Sequence, residues 1–178
     1  DNWELLLQPY ELLELHPRLA ELAKQAKKDD IWLIPGNNVG YFGPFERLIR
    51  GGKEWTFWNG CKAGLNSLGI EADGVIKGCP SLPTHPYSGG NIREKSLREI
   101  VETSDELNIN KSGGTEHLWG FCKTCEYAEI CRGGCSWTAH TFFGRRGNNP
   151  YCYHRALVQL EKGKRERFVL IKKAEGLP

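Results

Sequence analysis

The chain has 178 residues, of which 39% are hydrophobic and 26% charged, with a formal net charge of +2. No apolar run approaches the roughly eighteen residues a membrane span needs, and the apolar share is too high for a disordered chain. A charge so close to zero gives no footprint for nucleic acid or an anionic membrane surface. Seven Cys, no Met and an Asp at position 1 stand out, the last two reading as an excised or processed piece.

In chain order, residues 3–8 (Trp-Glu-Leu-Leu-Leu-Gln) predict a buried strand. Pro17 then suits the first turn of a helix running to about Lys28, because Leu19, Leu22, Ala23 and Ala26 recur at helical spacing. Ile31 to Ile34 predict a second strand, closed by Pro35-Gly36. A strand–helix–strand unit belongs to a parallel sheet, and two strands alone bury too little to stand, so residues 1–52 read as the cut edge of a larger α/β domain. A short helix from Phe45 to Arg50 and the Gly51-Gly52 pair mark its end. Asn37, Asn38, Gly40 and Gly43 suit either a substrate cleft or a plain glycine-rich loop.

Residues 53–178 have a different texture. Leu68 to Lys77 predict a β-hairpin with Asp73-Gly74 as a two-residue turn, and Cys61 and Cys79 flank it. Ser96-Leu-Arg-Glu99 is a capping box that opens a helix to about Glu102. The polar stretch 103–121 carries no clear pattern. A last helix spans about Cys152 to Lys162, with Ala156, Leu157 and Leu160 on its buried side. The tail from Lys162 to Lys173 is basic, and a solvated tail is its default reading. The fold class predicted is α+β: an irregular, loop-rich domain with a β-hairpin and short helices, preceded by a β-α-β remnant.

The chemistry lies in the cysteines. They read Cys61-x12-Gly74-x4-Cys79, then Cys122-x2-Cys125-x5-Cys131-x3-Cys135, then Cys152. An odd number of thiols argues against a pure disulfide framework, and crowding of this kind makes a soft-metal nest in a reducing compartment such as the cytoplasm. A zinc ribbon wants two CxxC knuckles, whereas the second pair here is x3, and seven thiolates fall one short of two closed zinc sites. Iron–sulfur clusters take thiolates in compact groups, and Gly133-Gly134 removes side chains where backbone N–H groups would approach a cluster. Two four-iron clusters want eight ligands, so one iron is left to a non-cysteine ligand, a substrate or an exogenous thiol. His154 is one candidate for that place, although a surface or helix-start role is the commoner one; His85, His117 and His140 have no better claim. Trp55, Trp58, Trp119 and Trp137 flank the cysteines and suit core packing or the shielding of a cluster from water.

These residues resemble the SPASM domain, the auxiliary-cluster domain of radical S-adenosylmethionine (SAM) enzymes that modify peptides and proteins. The resemblance rests on Cys61 to Cys152, with Gly74, Gly90-Asn91-Ile92 and Cys131-Arg-Gly-Gly-Cys135. It implies two [4Fe–4S] clusters. Cys61, Cys79 and Cys135 match the ligands of the first, and Cys122, Cys125, Cys131 and Cys152 match those of the second. It also implies that residues 1–52 close a partial β/α barrel, that the substrate is a peptide or protein, and that an electron donor such as flavodoxin or ferredoxin serves the enzyme. The family's SAM-binding CxxxCxxC motif is missing, since the CxxxC at 131–135 is followed by Thr138. SAM and its cluster are therefore expected in an N-terminal part outside this chain, which should be inactive alone. The other readings are a stand-alone ferredoxin-like electron-transfer module and a structural zinc-binding domain.

Overall fold

The computed structural model describes residues 3–36, 39–51, 56–112 and 114–171. Its elements are α1 (Leu12–Lys28), α2 (Glu46–Ile49), β1 (Gly69–Ile70), β2 (Val75–Lys77), α3 (Thr84–Tyr87), β3 (Ser88–Asn91), α4 (Leu97–Thr103), α5 (Asp105–Ser112), α6 (Ala128–Cys131), α7 (Ser136–Phe143) and α8 (Tyr153–Glu161). They fall into two compact units, one of residues 1–57 with 150–178 and one of residues 58–149.

In the first unit, residues expected to form a strand instead begin with a 3-10 turn, Trp3–Leu5, and a second follows at Pro9–Glu11. The reason is local. Pro9 fixes its own φ, and the Glu11 carboxylate reaches back to accept the Gln8 N–H at 2.6 Å, so the chain turns and runs into α1 five residues before the expected start. Pro17 thus lies inside the helix, where it removes one backbone donor. Ile31 to Ile34 are irregular, with Ile31, Trp32 and Ile34 61%, 88% and 80% exposed. A strand needs a ladder partner, and among the described residues these have none. The short helix appears as expected, over Glu46–Ile49. Asn37, Asn38, Gly52, Trp55, Lys172 and Lys173 lie outside the described residues.

α1 buries Leu12, His16 and Ala20, spaced four apart, and packs against α2 and α8. On α8 the buried positions are Tyr153 and Ala156; Leu157 is half-buried and Leu160 exposed, because the aromatic ring at 153 takes the inner face. The His16 ring stacks on Tyr153 at 4.4 Å, and its Nε2 donates to the Val39 carbonyl at 2.5 Å. Glu46, also buried, accepts the Phe42 N–H at 2.5 Å and the Arg50 Nε at 2.7 Å. The basic tail is anchored at its start. Glu166 accepts two bonds from Arg155 at 2.5 and 2.8 Å, and Phe168 N donates to Gln8 at 2.7 Å.

The second unit is built on a three-stranded antiparallel sheet in the order β1-β2-β3. Ile70 pairs with Ile76, and Val75 with Asn91. The hairpin turn has three residues rather than two. Gly74 N donates to Glu71 O and Glu71 N to Val75 O, both at 2.9 Å, with Gly74 at φ +91° closing the loop. Ser96 caps α4 as expected, its Oγ accepting Glu99 N at 3.2 Å. Ile76, Ile100 and Leu107 form one buried cluster with Val101 against them, so α4 and α5 cover the sheet, and Leu82, Tyr87, Leu118 and Ala139 are buried as well. Gly89 on β3 lies so close to the Leu107 side chain that any Cβ there would collide with it.

Burial holds the His16 pKa below its ordinary 6.5. The unfolded chain then takes up a proton at slightly acid pH that the folded chain refuses, so stability is full above about 6.5 and falls as pH drops below it. His16→Gln should flatten the fall in melting temperature between about pH 7 and pH 5 relative to wild type. An unchanged slope would show that His16 is not its source.

Candidate metal centre

All seven cysteines are free thiols, with Cys131, Cys135 and Cys152 buried and the other four half-buried. In the second unit the six from Cys61 to Cys135 sit on loops and helix ends that the chain holds by named bonds. Gly64 N donates to Gly78 O at 3.3 Å, seating the loop after Cys61 on the end of β2, one residue before Cys79. Asn110 Nδ2, at the end of α5, donates to Ala63 O at 2.9 Å and fixes the same loop from the other side. Arg132, between Cys131 and Cys135, donates to Asn110 O at 2.8 Å. Trp58 Nε1 donates to Cys131 O at 3.2 Å, tying the approach to Cys61 to the CxxxC segment.

The Cys131–Cys135 segment owes its shape to left-handed backbone. α6 ends at Cys131, and Arg132, Gly133 and Gly134 follow at φ +53°, +79° and +73°. A Cβ on Gly133 would lie 2.9 Å from the Gly147 backbone and from Leu118, so this glycine serves close packing as well as conformation. The turn delivers Cys135 to the start of α7, just as Cys152 stands at the start of α8 in the first unit. The Cys152 sulfur accepts Arg155 N at 3.5 Å, and the Cys125 sulfur accepts Tyr127 N at 3.4 Å. Backbone N–H groups aimed at sulfur are hydrogen bonds of the kind that tune cluster thiolates. Burial pushes the Cys125 thiol up, partly offset by the Tyr127 N–H.

Lys77 holds the Cys79 turn. Its buried Nζ donates to Leu82 O at 2.6 Å and to Pro80 O at 3.3 Å, and meets Glu71 Oε1 at 2.5 Å. Lys77 and the Thr84 hydroxyl hold the Glu71 carboxyl below the usual range. A cavity of about 10 Å³ is lined by Cys79 together with Ala63, Tyr87, Glu106, Ser136 and Arg146, among others. Ala63 and Ser136 are close chain neighbours of Cys61 and Cys135, so the flanks of Cys61, Cys79 and Cys135 converge on one spot. The donor chemistry fits an iron–sulfur cluster: free, soft sulfurs on loops fixed by backbone bonds. The described residues do not gather three His, Cys, Asp or Glu side chains in ligating geometry, and the cavity has room for about one water.

Sequence reasoning missed Lys77, Glu106, Asn110 and Arg146. Lys77 left a faint signal, a cation at an inward-facing strand position. Of the histidines, His140 Nδ1 meets the Tyr87 hydroxyl at 3.0 Å, and burial holds the His117 pKa down. His154 lies in the first turn of α8, its N–H donating to Tyr41 O. Trp119 donates to Arg146 O at 2.8 Å, while Trp137 is 40% exposed.

Free thiols on backbone-pinned loops, with glycines where the chain must bend left-handed, define a cluster-binding module. Residues 61–126 match the SPASM family, described as an iron–sulfur cluster-binding domain, and this part of the chain belongs to that family. The chain is 34% identical over 97 residues to an AdoMet-dependent heme synthase of Methanosarcina barkeri, a match covering 54% of the chain and 26% of that protein. It is 29% identical over 113 residues to a cysteine-type anaerobic sulfatase-maturating enzyme of Clostridium perfringens (60% and 29%). It is 30% identical over 128 residues to a PqqA peptide cyclase of Ruegeria pomeroyi (68% and 31%). The chain spans less than a third of the length of these curated relatives. No solved structure matches. Among the described residues, no helix is long and apolar enough to cross a membrane.

Lys77→Met would leave the buried Leu82 carbonyl without its donor and should cost about 1–3 kcal/mol of stability in denaturant unfolding of the metal-free chain. Glu71→Gln should cost far less, because Glu71 stands at the solvent edge. Equal losses would place the stabilisation in the ion pair instead.

Proposed function

We propose that this chain is the auxiliary-cluster part of a radical SAM maturase that modifies a peptide or protein, and that it binds two [4Fe–4S] clusters. Cys61, Cys79 and Cys135 supply the first set of ligands, and Cys122, Cys125, Cys131 and Cys152 the second. The observation that carries this reading is the convergence of the Cys61, Cys79 and Cys135 flanks on one cavity, although Cys135 is the sequence neighbour of Cys131. The names of the relatives support it: two are called sulfatase-maturating enzyme and peptide cyclase.

When bound, such clusters supply one-electron transfer between the reacting centre and an external donor, for which a flavodoxin or ferredoxin is suited. The residues of this chain bind and orient. Arg132 and Asn110 hold the ligand loops, Lys77 holds the Cys79 turn, and Trp58 covers the Cys131 carbonyl. We assign SAM binding to residues outside this sequence, since CxxxCxxC does not occur in it, and we assign the first fifty-odd residues to the closing edge of a β/α barrel. Seven free thiols suit the cytoplasm, where thiols stay reduced.

Anaerobic reconstitution should give about eight irons and about eight acid-labile sulfides per chain, as two four-iron clusters require. Zinc without sulfide would sink the reading. Cys135→Ala should destroy the first cluster and leave the second assembled, with about half the iron retained. Loss of the second cluster alone would overturn the assignment.

A further inference from the structure

Asn59-Gly60 is the one Asn-Gly pair in the sequence, and it lies between two anchors of the chain around Cys61. Before it, Trp58 Nε1 donates to Cys131 O at 3.2 Å; after it, Gly64 N donates to Gly78 O at 3.3 Å. Asn59 is exposed, Gly60 is buried, and the pair belongs to no helix or strand. Among the described residues, neither the Asn59 amide nor the Gly60 N–H makes a hydrogen bond. Gly60 has no Cβ to keep the neighbouring side-chain carbonyl away from its nitrogen.

The rest of the chain supplies the contrast. Asp73-Gly74 has the same spacing of carboxyl carbon and backbone nitrogen, but both ends are tied. Asp73 Oδ1 accepts Val75 N at 3.1 Å, and Gly74 N donates to Glu71 O at 2.9 Å. Asn91, Asn108, Asn110 and Asn149 spend their amides on backbone carbonyls. Asn66 is exposed, but the side chain of Ser67 crowds the next nitrogen.

We infer that Asn59-Gly60 is a self-modifying site, where the folded chain deamidates through a succinimide with water as its co-reactant. Gly60 N attacks Asn59 Cγ, and the new C–N bond closes a five-membered ring. The bond from Cγ to the side-chain nitrogen breaks, and that nitrogen leaves as ammonia with the Gly60 proton. Water then opens the ring. Opening at Cγ gives aspartate; opening at the backbone carbonyl gives isoaspartate, with the main chain routed through the former side chain. Either product sets a carboxylate two residues before Cys61, and isoaspartate lengthens the backbone there by one methylene. The reaction uses only the chain and water, so it does not rest on the cluster reading.

The metal-free chain, held at mildly alkaline pH in water enriched in oxygen-18, is followed over days by mass spectrometry of its peptides. The Asn59 peptide should take up one heavy oxygen and divide into isoaspartate and aspartate forms. Mildly acidic buffer should slow this, because the Gly60 nitrogen attacks only after losing its proton. Asp73 should stay unisomerised in the same sample. Asn59→Gln, which would have to close a six-membered ring, should remain intact over the same period. An Asn59 that persists in the folded chain but reacts in urea would show that the fold protects it, and the inference falls. It falls equally if aspartate forms without isoaspartate, or if Asn59 reacts no faster than Asn66.

Discussion

Two hydrogen bonds in series hold the cluster-binding unit to one shape: Arg132 to the Asn110 carbonyl, and the Asn110 side chain to the Ala63 carbonyl. They join three segments that are far apart in sequence, the CxxxC turn, the end of α5 and the loop after Cys61. Each bond satisfies a backbone carbonyl that no helix or strand partners. With so few strand and helix bonds near the cysteines, such side-chain-to-backbone contacts take over the work of secondary structure. The left-handed backbone at Arg132 is part of the same constraint, because it sets the direction in which the guanidinium leaves the chain.

The unit around these bonds packs α4 and α5 on its sheet through Ile76, Ile100 and Leu107, and buries Leu82, Tyr87, Leu118 and Ala139 as well. A domain of this kind draws stability from whatever binds its thiols, since ligands that prefer the folded state add their binding free energy to it. The small cavity beside Cys79 is walled on one side by the turn that follows this cysteine. Lys77 clamps the 80–82 turn to the sheet through the Pro80 and Leu82 carbonyls.

What the sequence made legible was whatever depends on local pattern. The Ser96 cap of α4 and the hairpin around Gly74 stand as read, apart from one extra residue in the turn. The apolar runs at the N-terminus misled, because a strand is defined by its partner and 31–34 has none among the described residues. The stretch 103–121 was opaque for a different reason. α5 contributes chiefly Leu107 to the core and otherwise works through Asn110 and Glu106, whose partners lie at Ala63 and Arg146. Polar residues that act through distant backbone leave no periodicity to find.

Cys152 performs two jobs with one atom. Its sulfur accepts the Arg155 N–H in the first turn of α8 as a cap and is also a proposed ligand to iron. A side chain that caps a helix cannot change its bonding without the helix registering it. Oxygen and sulfur differ in just this respect: a serine hydroxyl caps well and binds iron poorly, while alanine does neither. Comparing the two substitutions at this position would separate the architectural use of the atom from its chemical one, and the helicity of α8 would become an optical reporter of what the sulfur holds.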